Sequence, residues 1–143
     1  NMGSASLETM RRGFLDLLYG REPTPPKASI LPVLRRIVTT DGADAAVAKY
    51  RELAAGDEYE TGEGELNQLG YALLGDGATG GAIAIFRLNA ELHPESANTW
   101  DSLGEGLAAA GETVEAIKSY ARSLELDPSN RNAVERLAAL VGG

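Results

Sequence analysis

The chain has 143 residues, no cysteine and a formal net charge of −8. That length gives room for one domain with a real core, the missing thiols exclude disulfides and thiolate metal sites, and the acidic balance disfavours nucleic acid and anionic membranes as partners. The charge is uneven, with eight basic and nine acidic groups in residues 1–62 against five and twelve in residues 63–143. No apolar run approaches the roughly 18 residues that cross a bilayer and no signal-peptide pattern opens the sequence, so a soluble protein is expected, in a compartment the residues leave undecided.

In chain order, residues 1–20 are expected to form an amphipathic helix. Leu7, Met10, Phe14, Leu17 and Leu18 share one face, Ser6 can cap the start and Gly20 can end it. Left bare, a few hundred Å² of apolar stripe at about 25 cal/mol per Å² forgoes several kcal/mol. The helix is therefore expected to pack on the chain's own residues 30–50, with a swapped homodimer as runner-up. Residues 21–28, with Pro23, Pro25 and Pro26, read as an extended linker and mark the one domain boundary.

Everything after the linker is periodic. Trp100, Leu103, Gly104 and Leu107 make a helical stripe, and Ala116, Tyr120 and Ser123 make a second one after the turn at Gly111. Stepping back 34 residues reaches Leu66, Leu69, Gly70 and Leu73, with Ala82 and Phe86. A further 36 reaches Ile30, Val33, Leu34 and Ile37, with Ala46 and Tyr50, the two extra residues falling in the loop 56–64. Stepping forward 34 reaches Val134, Leu137, Ala138 and Val141. The pattern predicts helix pairs near 29–40 and 43–55, 65–75 and 79–92, 98–110 and 113–126, a last helix near 131–141, and negligible strand.

The Trp, the Leu-Gly pair, the aromatic, the small residue and Pro128 at a period of 34 resemble the tetratricopeptide repeat. The resemblance implies an all-α solenoid of antiparallel helix pairs over 29–143: a degenerate repeat 27–60, repeats 63–96 and 97–130, and a capping helix 131–141. It also implies a non-catalytic scaffold for protein–protein interaction. Leu34 stands where the family has a small residue and Glu58 where it has Pro, so the first repeat is expected to pack more loosely or to cap the array. A narrower resemblance rests on the order of Leu15–Gly20, Pro23–Pro26, Glu65–Gly70 and Phe86–Asn89. This order is similar to the C-terminal tail of some bacterial serine beta-lactamase-like hydrolases. It implies that residues 1–19 end a catalytic domain and that the array is its structural or dimerising appendage.

A search for chemistry returns little. Gly75, Gly77 and Gly80 have dinucleotide-loop spacing, but a helix precedes them where a strand is required. Asp57, Glu58, Glu60, Glu63 and Glu65 fail the calcium-loop pattern, because Tyr59 takes a ligand position and Gln68 the last. His93 is the only histidine, which rules out a two-histidine metal site and leaves it a surface or cap residue. Ser-x-x-Lys, the nucleophile signature of the hydrolases, does not occur. No catalytic residue, metal site or cofactor is expected.

What remains is a surface. In such arrays the first helices of successive pairs line a concave face, here Leu31 with Arg35, Asn67 with Tyr71, Asp101 with Glu105, and Glu135 with Ala139. Arg35, Asn67, Tyr71, Asp101, Glu105 and Glu135 are the candidate partner-binding residues. Tetratricopeptide modules that grip a C-terminal carboxylate place Lys, Asn and Arg there. Carboxylates at Asp101, Glu105 and Glu135 would repel such a ligand, so a neutral or basic protein or peptide segment is expected beside Tyr71.

Overall fold

The computed structural model describes residues 26–142, together with Met10 and Gly20. Among the described residues seven helices lie in sequential pairs: α1 (Leu31–Asp41) with α2 (Ala43–Ala54), α3 (Glu63–Gly75) with α4 (Thr79–Leu92), α5 (Ala97–Ala109) with α6 (Thr113–Leu126), and α7 (Arg131–Gly142) alone. Each boundary falls within two residues of the sequence expectation. The first helix of each pair stops where the chain supplies a left-handed glycine, with φ of 95° at Gly42, 81° at Gly77 and 79° at Gly111. Asn130 caps α7, its side-chain oxygen accepting the Ala133 N–H at 3.3 Å.

The repeated columns form one continuous core. Leu34, Leu66, Leu69, Leu73, Phe86, Leu103, Leu107 and Tyr120 are all buried. Leu34, expected to loosen the first pair, is completely covered. Trp100 lies at the edge of the core, half-buried, and its indole N–H donates to the Pro94 carbonyl at 2.8 Å. In the second pair, a methyl group placed on Gly70 would overlap the Phe86 ring, whereas on Gly104 it would lie 2.9 Å from Tyr120. Gly70→Ala is therefore expected to destabilise the array by roughly 1–3 kcal/mol, although alanine gains about 1 kcal/mol in helix propensity. Urea unfolding measures the balance, and a stabilised variant would mean the ring does not lie on that glycine.

Two features depart from the sequence reading. Ala28–Ser29 (β1) pairs in parallel with Tyr59–Glu60 (β2), so residue 29 lies in a bridge and not in the first helix. Ile30 N–H adds a bond to the Glu60 carbonyl at 3.3 Å, and the Ser29 hydroxyl donates to Glu65. The loop carrying the two extra residues thus ties the entrance of the first pair to the entrance of the second. The other departure is α7. It buries Ala133 and partly covers Leu137 and Leu140, while Val134 is 48% and Val141 68% exposed. The column Val134, Ala138, Val141 faces the place of a second helix that α7 does not have among the described residues. The side turned to α6 is the one that packs.

The helix expected over residues 1–20, its docking on residues 30–50 and the swapped dimer lie outside the described residues. Met10 is exposed, and Gly20 has a φ of 81°. No helix among the described residues is long and apolar enough to cross a membrane.

Candidate functional site

First helices stack beside first helices, α1 on α3 and α3 on α5, while α2 stacks on α4. The stacked first helices carry polar rungs between neighbours. From α1, Arg35 makes a two-pronged bond to Asp76 beyond the end of α3, Nε to Oδ2 at 2.8 Å and Nη2 to Oδ1 at 2.5 Å. Between α3 and α5, the buried Ser102 hydroxyl donates to Asn67 Oδ1 at 2.5 Å and accepts from the Tyr71 hydroxyl at 3.3 Å. Between α5 and α7, Asn132 Nδ2 donates to Asp101 at 2.9 Å and to Glu105 at 3.1 Å, and Arg136 lies 3.4 Å from Glu105.

Five of the six candidate residues therefore stand on these rungs, and Glu135 does not. It is exposed and makes no hydrogen bond or ion pair among the described residues. The acids Asp101 and Glu105 meet Asn132 and Arg136, so this end of the face is not bare negative charge. Sequence reasoning missed Ser102, Asn132, Arg136 and Asp76 because it followed only the columns of residues 67 and 71. Contact between stacked helices brings in a further column, since residues 67 and 71 of one helix meet residue 102 of the next, and the 34-residue step from Ser102 lands on Arg136.

Tyr71 is the most prominent group on the face. The residue is 42% exposed, yet its ring is held edge-on to Phe86 with centroids 5.0 Å apart and its hydroxyl is tied to Ser102. Burial lifts the phenol above its usual range, against the Ser102 bond, with Glu105 and Asp101 adding to the rise. Burial likewise raises the Asp101 carboxyl above its ordinary 3.8, opposed by the amides of Asn132 and Asn130 and by Arg136, with Glu105 reinforcing the rise. Asp76 moves the other way, lowered chiefly by its bond to Arg35.

Carboxyl-carbon NMR is accordingly expected to find Asp101 taking up its proton at higher pH than Asp76. The signs for stability are opposite. Asp101 binds its proton in the folded state before the unfolded chain does, so acidification through its range favours folding at that site. The contribution of Asp76 is present above its unfolded value and is lost as pH falls, and solvent screening keeps it small. A reversed order of titration would show that the Arg35 pair does not persist in solution.

Among the described residues no group of three or more His, Asp and Glu side chains converges as a metal site. His93 closes α4, its N–H bonded to the Asn89 carbonyl at 2.8 Å. Gly75 ends α3, Gly77 lies in the turn and Gly80 opens α4, while Asp57, Glu58 and Glu60 lie in the loop and bridge before α3 and Glu63 and Glu65 in its first turn.

The family model described as tetratricopeptide repeat matches residues 97–140. Superkiller complex protein 3 of Mus musculus is 28% identical over 126 residues, and the match covers 88% of this chain but only 7% of that protein. Among solved structures, a mutant of MamA superposes with a TM-score of 0.59 at 22% identity, covering 78% of this chain and 80% of its own. The first TPR domain of human RPAP3 does so with 0.57 at 21% identity, over 79% and 91%. The first TPR of Spaghetti (RPAP3) gives 0.56 at 22% identity, over 78% and 90%. Residues 97–140 thus match the tetratricopeptide-repeat family model, and the described array as a whole has the fold of tetratricopeptide-repeat domains.

Proposed function

We propose that this chain is a non-catalytic docking module that binds a protein or peptide along the face built by α1, α3, α5 and α7. One observation carries the reading. Tyr71 is a large aromatic ring left open to solvent at the middle of the face, yet immobilised from behind by Phe86 and Ser102. A rigid, half-exposed aromatic loses little entropy on contact, which is why such residues anchor interfaces.

The rungs around it favour a neutral or basic segment. The solved first TPR of Spaghetti is bound to the HSP90 peptide SRMEEVD. Such an acidic peptide would here meet Asp101 and Glu105, with Arg136 already engaged. In fluorescence anisotropy against a set of ten-residue peptides of graded charge, neutral and basic members are expected to bind and SRMEEVD not to. Tyr71→Ala should weaken the best binder by about 30-fold, the scale of an interface hot spot. Binding indifferent to Tyr71, or strongest for SRMEEVD, would overturn the reading.

The appendage reading rests on the order of Leu15–Gly20, Pro23–Pro26, Glu65–Gly70 and Phe86–Asn89, of which the first two segments lie outside the described residues apart from Gly20 and Pro26. It holds that the array shields or dimerises a beta-lactamase-like hydrolase. A Ser-x-x-Lys domain in the same reading frame would support it, and a frame without one would remove it.

A further inference from the structure

The second-helix aromatic recurs in all three pairs, as Tyr50, Phe86 and Tyr120, and its ring is buried each time. Packing does not need the hydroxyl. Phe86 has none, and Tyr50 spends its own on the Thr61 carbonyl at 2.6 Å. The Tyr120 hydroxyl is buried with no hydrogen-bond partner among the described residues, a standing cost for a donor taken out of water.

That side chain lines a cavity of about 340 Å³, together with Glu105, Ala108 and Ala109 of α5 and Arg136 and Leu140 of α7. The preceding repeat explains why the space is open. There Tyr71 lays its ring against Phe86 and Leu74 packs on the core. Thirty-four residues on, these positions are Glu105 and Ala108, so an aromatic ring and a branched side chain are missing over Tyr120. Ser102 is correspondingly replaced by Arg136, whose guanidinium stands 3.4 Å from Glu105.

We propose that this cavity is the subsite for a tyrosine side chain of the docked partner. The proposal rests on the docking reading and names the chemistry of one position in it. A tyrosine ring restores the missing aromatic contact with Tyr120 and lies near the Arg136 cation. Its hydroxyl accepts from Tyr120 and donates to Glu105, giving the orphaned group a partner. A carboxylate would meet Glu105 and Asp101, an ammonium group would meet Arg136, and an aliphatic side chain would leave Tyr120 unpaired. The volume is at the small end of ligand pockets, the scale of one side chain with space to spare.

The test is amide NMR of the full chain titrated with p-cresol, the tyrosine side-chain analogue, and with toluene. Shifts from p-cresol are expected to cluster at Ala108, Tyr120, Arg136 and Leu140 and to saturate with a Kd on the order of 1 mM, with toluene roughly tenfold weaker. Tyr120→Phe keeps the cavity, and Phe86 shows that the fold accepts it. This variant should bring p-cresol down to the toluene level. Glu105→Tyr rebuilds the arrangement of the preceding repeat and should abolish binding of both while raising the melting temperature. Shifts clustered elsewhere, equal affinity for toluene, or an undiminished p-cresol preference in Tyr120→Phe would overturn the subsite. If p-cresol fails while peptides still bind through Tyr71, the subsite falls and the docking reading stands. If p-cresol binds as described and no peptide does, the phenol site stands and the partner is overturned.

Discussion

Replacing Phe86 with alanine is expected to cost about 3–5 kcal/mol, the largest loss from any single truncation in the array. The ring is wholly buried and is shared by two repeats. It fills the space over Gly70 of α3, lies within 3.4 Å of a methyl group placed on Gly106 of α5, and supports Tyr71 edge-on. Alanine would leave a hole walled by two glycines, which have no side chains to move into it. Because a solenoid is held by contacts between neighbouring repeats, the loss falls on the second pair and on its junction with the third. Urea unfolding followed by circular dichroism measures it, and a loss below about 1 kcal/mol would mean the ring is not shared in this way.

Leu103→Ala carries the second large effect, about 2–5 kcal/mol, against less than about 0.5 kcal/mol for Glu112→Ala. Leu103 is 3% exposed in the stripe that α5 buries, whereas the Glu112 side chain stands in solvent at the turn. The backbone of Glu112 keeps its bonds in the variant, its N–H to Leu107 and its carbonyl to Ala116. Equal small losses at both positions would mean that the repeated columns are not the buried ones.

The helices were legible because a 34-residue period writes the same four apolar positions repeatedly, and each copy corrects the ambiguity of the others. Gly42, Gly77 and Gly111 then punctuate the pairs. The bridge between Ala28–Ser29 and Tyr59–Glu60 was not legible, since two residues show no alternation and their pairing is non-local. On the candidate face, Asn67, Tyr71, Asp101 and Glu105 could be placed by counting, but their partners Ser102, Asn132 and Arg136 could not. A partner belongs to a different column on the next helix, and only the stacking geometry says which. In α7 the stripe carried over from Trp100 failed at Val134 and Val141 for a related reason. A column is buried only if the element it faces is present.

The bridge at the entrance and the half-covered helix at the exit make the array directional. Repeats that touch only their neighbours open from the ends. One end is laced by backbone bonds to the second repeat, while α7 rests on a single side. Among the described residues α7 is therefore expected to open before α1, with Asn132 and Arg136 released before Asn67 and Ser102. A partner lying across α5 and α7 would cover the exposed side of α7, so its arrival is expected to register as slowed amide exchange along α7 and to leave α1 unchanged.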